Sequence, residues 1–149
     1  MRLARTVFVI GLCLVVVFGC AKAPPPVGRW QGGFESREVM VIARLEIDAK
    51  GNIYLCAPDA MDIENASQDD RTAIRQRLSD GMNVAWGQTE PKQFVFDGHV
   101  FRKPGGVAPQ LEWDPDRKSM TAIVYLGMRA AIHVPLHAVA DFTADPWSG

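Results

Sequence analysis

Apolar and polar residues alternate along residues 39–47. Because a strand has a period of two, the alternation places the apolar side chains on one face and Arg44 and Glu46 on the other. This pattern predicts a half-buried strand. A polar loop after it would return the chain through a second strand at residues 53–56, as in a β-hairpin.

The middle of the chain changes to helical spacing. Apolar side chains recur every three or four residues between Ser67 and Trp86, which is the period of an amphipathic helix. Ser67 followed three residues later by Asp70 is a capping-box signal, and Gly87 is placed to cap the other end. The sequence therefore predicts one helix from about Gln68 to Trp86.

A β-hairpin is predicted soon after the helix. Asp97-Gly98 lies between alternating apolar residues, which is the signal for a two-residue type I′ turn. We therefore expect the phenylalanine rings of this hairpin to lie together and to be candidates for lining an apolar ligand site. Pairing across the turn would place Phe94, Phe96, His99 and Phe101 on one face and Val95 and Val100 on the other.

The whole pattern predicts about eight strands joined mostly by short loops, with the single helix in mid-chain. The expected fold class is mainly β (α+β). It is an antiparallel meander, closed as a small barrel or strongly bent as an open sheet, with the amphipathic helix against one end or face. The remaining predicted strands are residues 30–34, 110–113, 120–126 and 130–142.

The first 19 residues have the pattern of a secretory signal peptide. Arg2 and Arg5 precede an apolar run at residues 7–19 that no acidic residue interrupts. A membrane-spanning helix needs about 20 apolar residues. The run is shorter than that, so we expect cleavage rather than a retained anchor helix.

Val17-Phe18-Gly19-Cys20, at the end of the apolar run, resembles the lipobox of bacterial lipoproteins. In that family the cysteine is acylated and becomes the new N-terminus, so the resemblance implies a palmitate-type lipid on Cys20 and a membrane anchor. Ala21 rather than Asp after the cysteine implies the periplasmic side of a Gram-negative outer membrane. The alternative is cleavage after Ala23, which is disfavoured because Pro24 would follow the scissile bond.

Three prolines after the cysteine form a spacer. Pro24-Pro25-Pro26 favours extended polyproline II backbone, which would hold a tethered domain away from the membrane surface. We predict a signal peptide at residues 1–19, a lipidated cysteine and tether at 20–27, and a single β-rich domain at 28–149. Removal of the signal peptide leaves 130 residues, enough for one self-supporting domain.

Cysteine usage and net charge limit the kinds of partner that this chain could have. Cys13 would leave with the signal peptide and Cys20 would carry lipid, so Cys56 has no disulfide partner in its own chain. Cleavage also removes two of the 16 Lys and Arg residues, which leaves 14 against 17 Asp and Glu and a net charge of −3. This balance argues against nucleic acid as a partner.

Gly28-Arg29-Trp30, leading into the first predicted strand, resembles the Gly-x-Trp opening of lipocalins and other calycin-like barrels. The resemblance implies a barrel-like architecture and transfers no binding residues. The predicted helix departs from the lipocalin order, because it lies in mid-chain rather than after the barrel strands.

The sequence contains no G-x-S-x-G, S-x-x-K, H-E-x-x-H or C-x-x-C motif. His133 and His137 share one face of the last predicted strand, but about 13 Å of strand separates them, too far for one metal ion. Only a bend of the strand at Pro135 would bring the two imidazoles close enough, also for a site with His99 as a third ligand. Proline within a strand instead indicates an edge position. Cys56 has no base near it in sequence, so we expect a buried side chain without thiol chemistry.

A basic loop completes the candidate ligand-binding residues. Arg102 and Lys103 precede Pro104-Gly105-Gly106, where backbone N–H groups could turn toward an anion, although a plain loop with solvated charges is the favoured interpretation. We expect a non-enzymatic, lipid-anchored envelope protein that binds an apolar ligand or a partner protein, with no metal and no cofactor. The alternatives are a hydrolase with an unrecognised site and a purely structural lipoprotein.

Overall fold

The computed structural model describes residues 23–58, 60–127 and 130–148. The predicted signal peptide, Cys20 and the start of the tether lie outside these ranges. Within them the chain forms nine strands and one helix. In chain order these are β1 (Gly28–Glu35), β2 (Val39–Ile47), β3 (Ile53–Cys56), β4 (Met61–Asp62), α1 (Gln68–Trp86), β5 (Val95–Phe96), β6 (Val100–Arg102), β7 (Pro109–Asp114), β8 (Ser119–Leu126) and β9 (Ala130–Ala138).

The strands form one curled, half-barrel sheet in which neighbouring strands are antiparallel. The strand order is β3-β2-β1-β9-β8-β7-β6-β5, and β4 pairs with β2 outside this path. The mainly β, antiparallel fold with a single mid-chain helix is therefore confirmed. Sequence patterns do not predict β4, because two residues are too few for an alternation to be visible.

The two halves of the sheet are joined through β1 and β9, which pair over only two residues of each strand. Just beyond this pairing, a Cβ on Gly32 would lie 2.0 Å from the backbone oxygen of Pro135, so only glycine fits at the crossing. The edge position expected for Pro135 is wrong, since β9 lies between β1 and β8. The strand tolerates proline there because the ladder to β1 ends before it.

The concave face of the sheet carries the larger hydrophobic core. Trp30 from β1 and Trp113 from β7 meet edge-on, with ring centroids 6.3 Å apart. Members of the cluster with no exposed surface come from both halves of the sheet and fill the inside of the curl. They are Val41, Ala43, Leu45, Phe101, Leu111 and Val134.

The convex face of β2 is also buried, so the predicted half-buried strand is wrong. Met40 and Ile42 on that face pack against Leu78 and Met82 of α1 in a second hydrophobic cluster. Arg44, expected in solvent, is buried as well. The physical reason is that the apolar stripe of the helix must itself be covered, and β2 is the strand beneath it.

The helix has the predicted bounds, Gln68–Trp86. Its capping box is also confirmed: the backbone N–H of Asp70 donates to the Ser67 hydroxyl, and the Asp70 carboxylate accepts from the N–H of Ser67. Gly87 is the C-cap residue, but its φ of −62° is right-handed, so the freedom of glycine is not required there.

The hairpin turn lies one residue later than predicted. The N–H of Asp97 donates to the carbonyl of Val100, so Gly98 and His99 are the central residues, and of these two only Gly98 has a positive φ, +108°. Glycine at the first central position is the requirement of a type II′ turn rather than type I′. The Asp97 carboxylate causes the shift, because it accepts the N–H groups of His99 and Val100 as an Asx turn. Phe96 therefore pairs with Phe101 instead of His99.

Replacing Gly98 with valine tests this turn. We expect a loss of more than about 1 kcal/mol in unfolding free energy, because a β-branched residue is strongly penalised at positive φ. A Cβ there meets no atom within 4 Å, so the cost arises from the backbone alone. Chemical denaturation measures it, with Gly87→Ala as the control at a right-handed glycine. An unchanged unfolding free energy for Gly98→Val would show that the turn is wrongly assigned.

The last strand ends at Ala138, four residues before the predicted end. The chain then leaves the sheet and crosses the convex face of β1 as residues 139–148, called here the C-terminal strap. Gln31 donates its side-chain amide to the carbonyl of Ala144, and the N–H of Gly33 donates to that of Pro146. The strap thus accepts a hydrogen bond from the backbone N–H of Gly33, which lies beyond the pairing of β1 with β9.

Candidate functional site

The three phenylalanine rings predicted to line a ligand site lie together inside the half-barrel. Phe96 stacks on Phe101 with ring centroids 4.2 Å apart, and Phe94 meets Phe101 edge-on at 6.5 Å. Phe101 has no exposed surface. Five open depressions on the described surface, of about 230 to 470 Å³, are lined by none of these rings. The rings therefore pack as core.

The two predicted cations, Arg102 and Lys103, have different surroundings. Arg102 pairs with the Asp97 carboxylate at 2.7 Å and donates to the carbonyl of Val107. Backbone hydrogen bonds from Val100 and His99, together with Arg102, hold the pKa of Asp97 far below its usual range. Lys103 is exposed, and the N–H of Gly106 donates to its carbonyl rather than outward. The loop is thus ordered by its own contacts.

Strand directions place this basic loop at the end of the sheet opposite the tether. β1 begins at Gly28, and β9 finishes and β8 starts at that same end. β7 runs antiparallel to β8, so the loop 103–108 that precedes it lies at the other end. We call these the tether end and the distal end. Eight residues of β8 separate them by about 25 Å.

At the distal end, the loop 103–108 presents an apolar side chain to solvent. Val107 is 90% exposed, the largest value among the exposed large hydrophobic residues of the described chain. The flanks of the loop are fixed: the Tyr125 hydroxyl donates to the carbonyl of Pro109 at 2.7 Å, and Arg102 donates to that of Val107. An ordered loop with an exposed apolar tip loses little conformational entropy on binding a partner.

The three histidines do not converge. His99 lies in the turn before β6, and His137 pairs with Gln31 of β1. His133 Nδ1 lies 3.7 Å from a carboxylate oxygen of Glu112 on the convex face. Across the described ranges, no three His, Cys, Asp or Glu residues are grouped so that they could hold a metal ion.

The most unusual polar group in the described chain is Arg44, which sequence analysis placed in solvent. Its side chain is 95% buried, and its guanidinium lies over the rings of Trp86 and Phe142, at 5.6 and 4.6 Å from their centroids. Its Nη2 donates one hydrogen bond to Asn83 Oδ1 at 3.0 Å, whereas Nε has no partner. Burial lowers the pKa of Arg44, and the neighbouring Cys56 partly opposes that shift.

Cys56 lies directly opposite Arg44 in the ladder between β2 and β3. It is half-buried, not fully buried as expected, and it lines an open depression of about 470 Å³ bounded by the end of β3 and residues 88–92. The expectation rested on the apolar neighbours of Cys56 in sequence. It could not include Arg44, because that contact depends on strand register.

A second charge cluster joins β1, α1 and the C-terminal strap. Glu35 accepts hydrogen bonds from Arg71 and Arg75, and Arg75 lies 5.8 Å from the ring centroid of Trp147. The indole N–H of Trp147 donates to Ser79 at 3.2 Å. These contacts fix three elements to one another, so we interpret the cluster as structural.

The cation clusters at Arg44 and Arg71 escape sequence analysis for a common reason. Each arginine reaches partners more than 30 residues away in the chain, Asn83 in one case and Glu35 in the other. The sequence offers one signal for the burial of Arg44. Met40 and Ile42 lie on the same face of β2 as Arg44, and two apolar residues there indicate a covered surface.

Within the described ranges, the one helix is not long and apolar enough to cross a membrane. No protein-family model, no curated protein and no solved structure matches this chain.

Proposed function

We propose that this chain is a non-enzymatic, lipid-anchored module that binds a partner protein in the cell envelope. The anchor is the lipid on Cys20, and the site of action is the periplasmic side of the outer membrane. The lipobox-like Val17-Phe18-Gly19-Cys20 and the proline spacer after it support this placement.

We favour a partner protein over an apolar ligand because the interior of the half-barrel is packed. A ligand-binding barrel leaves its inside hollow, in the way that lipocalin-type barrels hold one small molecule. Here Phe101 is fully buried between Phe94 and Phe96, and the cluster around it fills the concave face. Binding must then use the outside of the domain.

The distal end is the part of the outside best suited to a partner. It lies about 25 Å along the sheet from the point where the tether enters. A lipid at Cys20 and an extended spacer would hold the tether end toward the membrane and leave the loop 103–108 facing away. Its exposed tip, Val107, is an apolar anchor of the kind that protein interfaces bury.

Site-specific photo-crosslinking in intact cells tests this proposal. A photoreactive amino acid at Val107 should give a discrete adduct larger than the chain by the mass of a second protein. The matched control is the same amino acid at Val84, an exposed valine on the outer face of α1. Equal adducts at both positions, or none at Val107, would contradict a partner-binding distal end.

A further inference from the structure

We propose that Cys56 is a thiol–disulfide exchange site, and that Arg44, opposite it in the sheet, makes its thiolate reactive. The ligand class is a small, low-molecular-weight disulfide. The site is separate from the proposed partner-binding end and does not depend on it.

The first step is the position of the two side chains. Arg44 and Cys56 are directly opposed across the β2–β3 ladder. Directly opposed residues of antiparallel strands point to the same face, with Cβ atoms about 4.5–5.5 Å apart. The guanidinium and the sulfur therefore share the convex face beneath the end of α1.

The second step is the charge that Arg44 leaves uncompensated. The ion pairs found in the described chain do not include Arg44, and Nε has no hydrogen-bond partner although the side chain is 95% buried. Its guanidinium contacts two aromatic rings and one amide oxygen, and none of these three groups carries a negative charge. A buried cation without an anion is costly, so a negative group at the facing position is favoured.

The third step is access. Cys56 is half-buried and lines an open depression of about 470 Å³, with Ala57 and Pro58 on one side and residues 88–92 on the other. Reactive cysteines occupy positively charged, partly exposed surroundings of this kind, whereas structural cysteines are enclosed. Cys56 has both the neighbouring cation and the opening.

The reaction is a balanced exchange. The Cys56 thiol loses its proton to solvent, and the thiolate attacks one sulfur of the small disulfide. A new S–S bond forms to Cys56 as the original S–S bond breaks, and the departing thiolate takes a proton from solvent. No further oxidant is needed, because the small disulfide is itself the oxidant.

The test uses the full-length chain and 2-hydroxyethyl disulfide, an uncharged probe that Arg44 cannot attract by charge. Trypsin releases residues 51–71 as one peptide, which contains Cys56 and neither Cys13 nor Cys20. Mass spectrometry of this peptide then gives the rate of mixed-disulfide formation at Cys56 alone.

We expect native Cys56 to react at least about fivefold faster than the same residue in the urea-unfolded chain. Arg44→Met should remove this advantage, and Arg44→Lys should keep most of it. Arg29→Met is the matched control, since Arg29 lies on the same face but opposite Glu46, and its rate should equal that of the wild type.

Two outcomes would overturn the proposal. One is a native rate at or below that of the unfolded chain, and the other is a folded Arg44→Met variant that reacts as fast as the wild type. Circular dichroism shows whether Arg44→Met is folded. If it is not, the native-to-unfolded ratio of the wild type decides the question by itself.

Discussion

Replacing Phe101 with alanine is expected to lower the unfolding free energy by about 3–5 kcal/mol, the largest stability loss that we predict. The ring is fully buried, stacks on Phe96 and meets Phe94 edge-on. Truncation removes its buried area and leaves a cavity in the middle of the concave core, where neighbours from several strands cannot all move to fill it.

Urea unfolding followed by tryptophan fluorescence measures this loss. Val107→Ala is the control, because a side chain that is 90% exposed should change stability by no more than about 0.5 kcal/mol. A loss below about 1 kcal/mol for Phe101→Ala would mean that the inside of the half-barrel is loosely filled. The choice of a partner protein over an apolar ligand would then lose its main support.

Arg71→Ala is expected to cost about 2–4 kcal/mol of unfolding free energy. Its guanidinium donates to the Glu35 carboxylate at 2.9 Å and to the carbonyls of Ser36, Arg37 and Ile63 at 3.0–3.2 Å. One side chain thus donates hydrogen bonds both to the β1–β2 turn and to the chain before α1. Its removal takes a donor away from the carbonyls of Ser36 and Arg37 and leaves Arg75 as the remaining partner of the half-buried Glu35 carboxylate.

Arg77→Ala is the matched control, since Arg77 is exposed on the same helix. It should change stability by no more than about 0.5 kcal/mol. Equal effects of the two substitutions would contradict the structural role assigned to Arg71.

The same cluster predicts a pH dependence. Burial raises the pKa of Glu35, but hydrogen bonds and charge from Arg75 and Arg71 outweigh it, so the pKa lies below its ordinary value. A carboxyl group whose pKa is lowered by folding stabilises the folded state above its unfolded pKa, about 4.3 for Glu. That contribution should disappear as the pH falls below this value, and Glu35→Gln should remove the share of the pH dependence that comes from Glu35 while the share from Asp97 remains. Denaturation between pH 7 and pH 3 measures it.

Local signals in the sequence predict most of the elements of this fold. The helix has its own cap at Ser67 and an uninterrupted apolar period, so its bounds do not depend on the rest of the chain. β2 and β3 follow in the same way from alternation and the loop between them, and both have the predicted bounds. These elements are determined by neighbours within about ten residues.

The errors occur where distant parts of the chain decide the outcome. The convex face of β2 is buried because α1 covers it, and β9 ends early because the chain after Ala138 leaves the sheet as the C-terminal strap. Neither contact leaves a periodic signal. The one-residue shift at Gly98 is a local error, because the Asp97 carboxylate selects the turn and alternation alone cannot show which residue it caps.

The candidate sites divide in the same way. The three phenylalanines share a face because alternation requires it, but the sequence does not say whether that face is hollow or packed. Arg44 faces Cys56 because of the register between β2 and β3, and the helix above covers both strands. No sequence motif indicates this arrangement.

Feeding labelled palmitate to cells that express the full-length chain is the most direct test of membrane anchorage through Cys20. The account predicts label on the wild-type protein in the membrane fraction and none on Cys20→Ser. Cys56→Ser is the matched control, and it should be labelled as strongly as the wild type. Label that persists on Cys20→Ser, or a wild type that carries none, would contradict a lipid-anchored module.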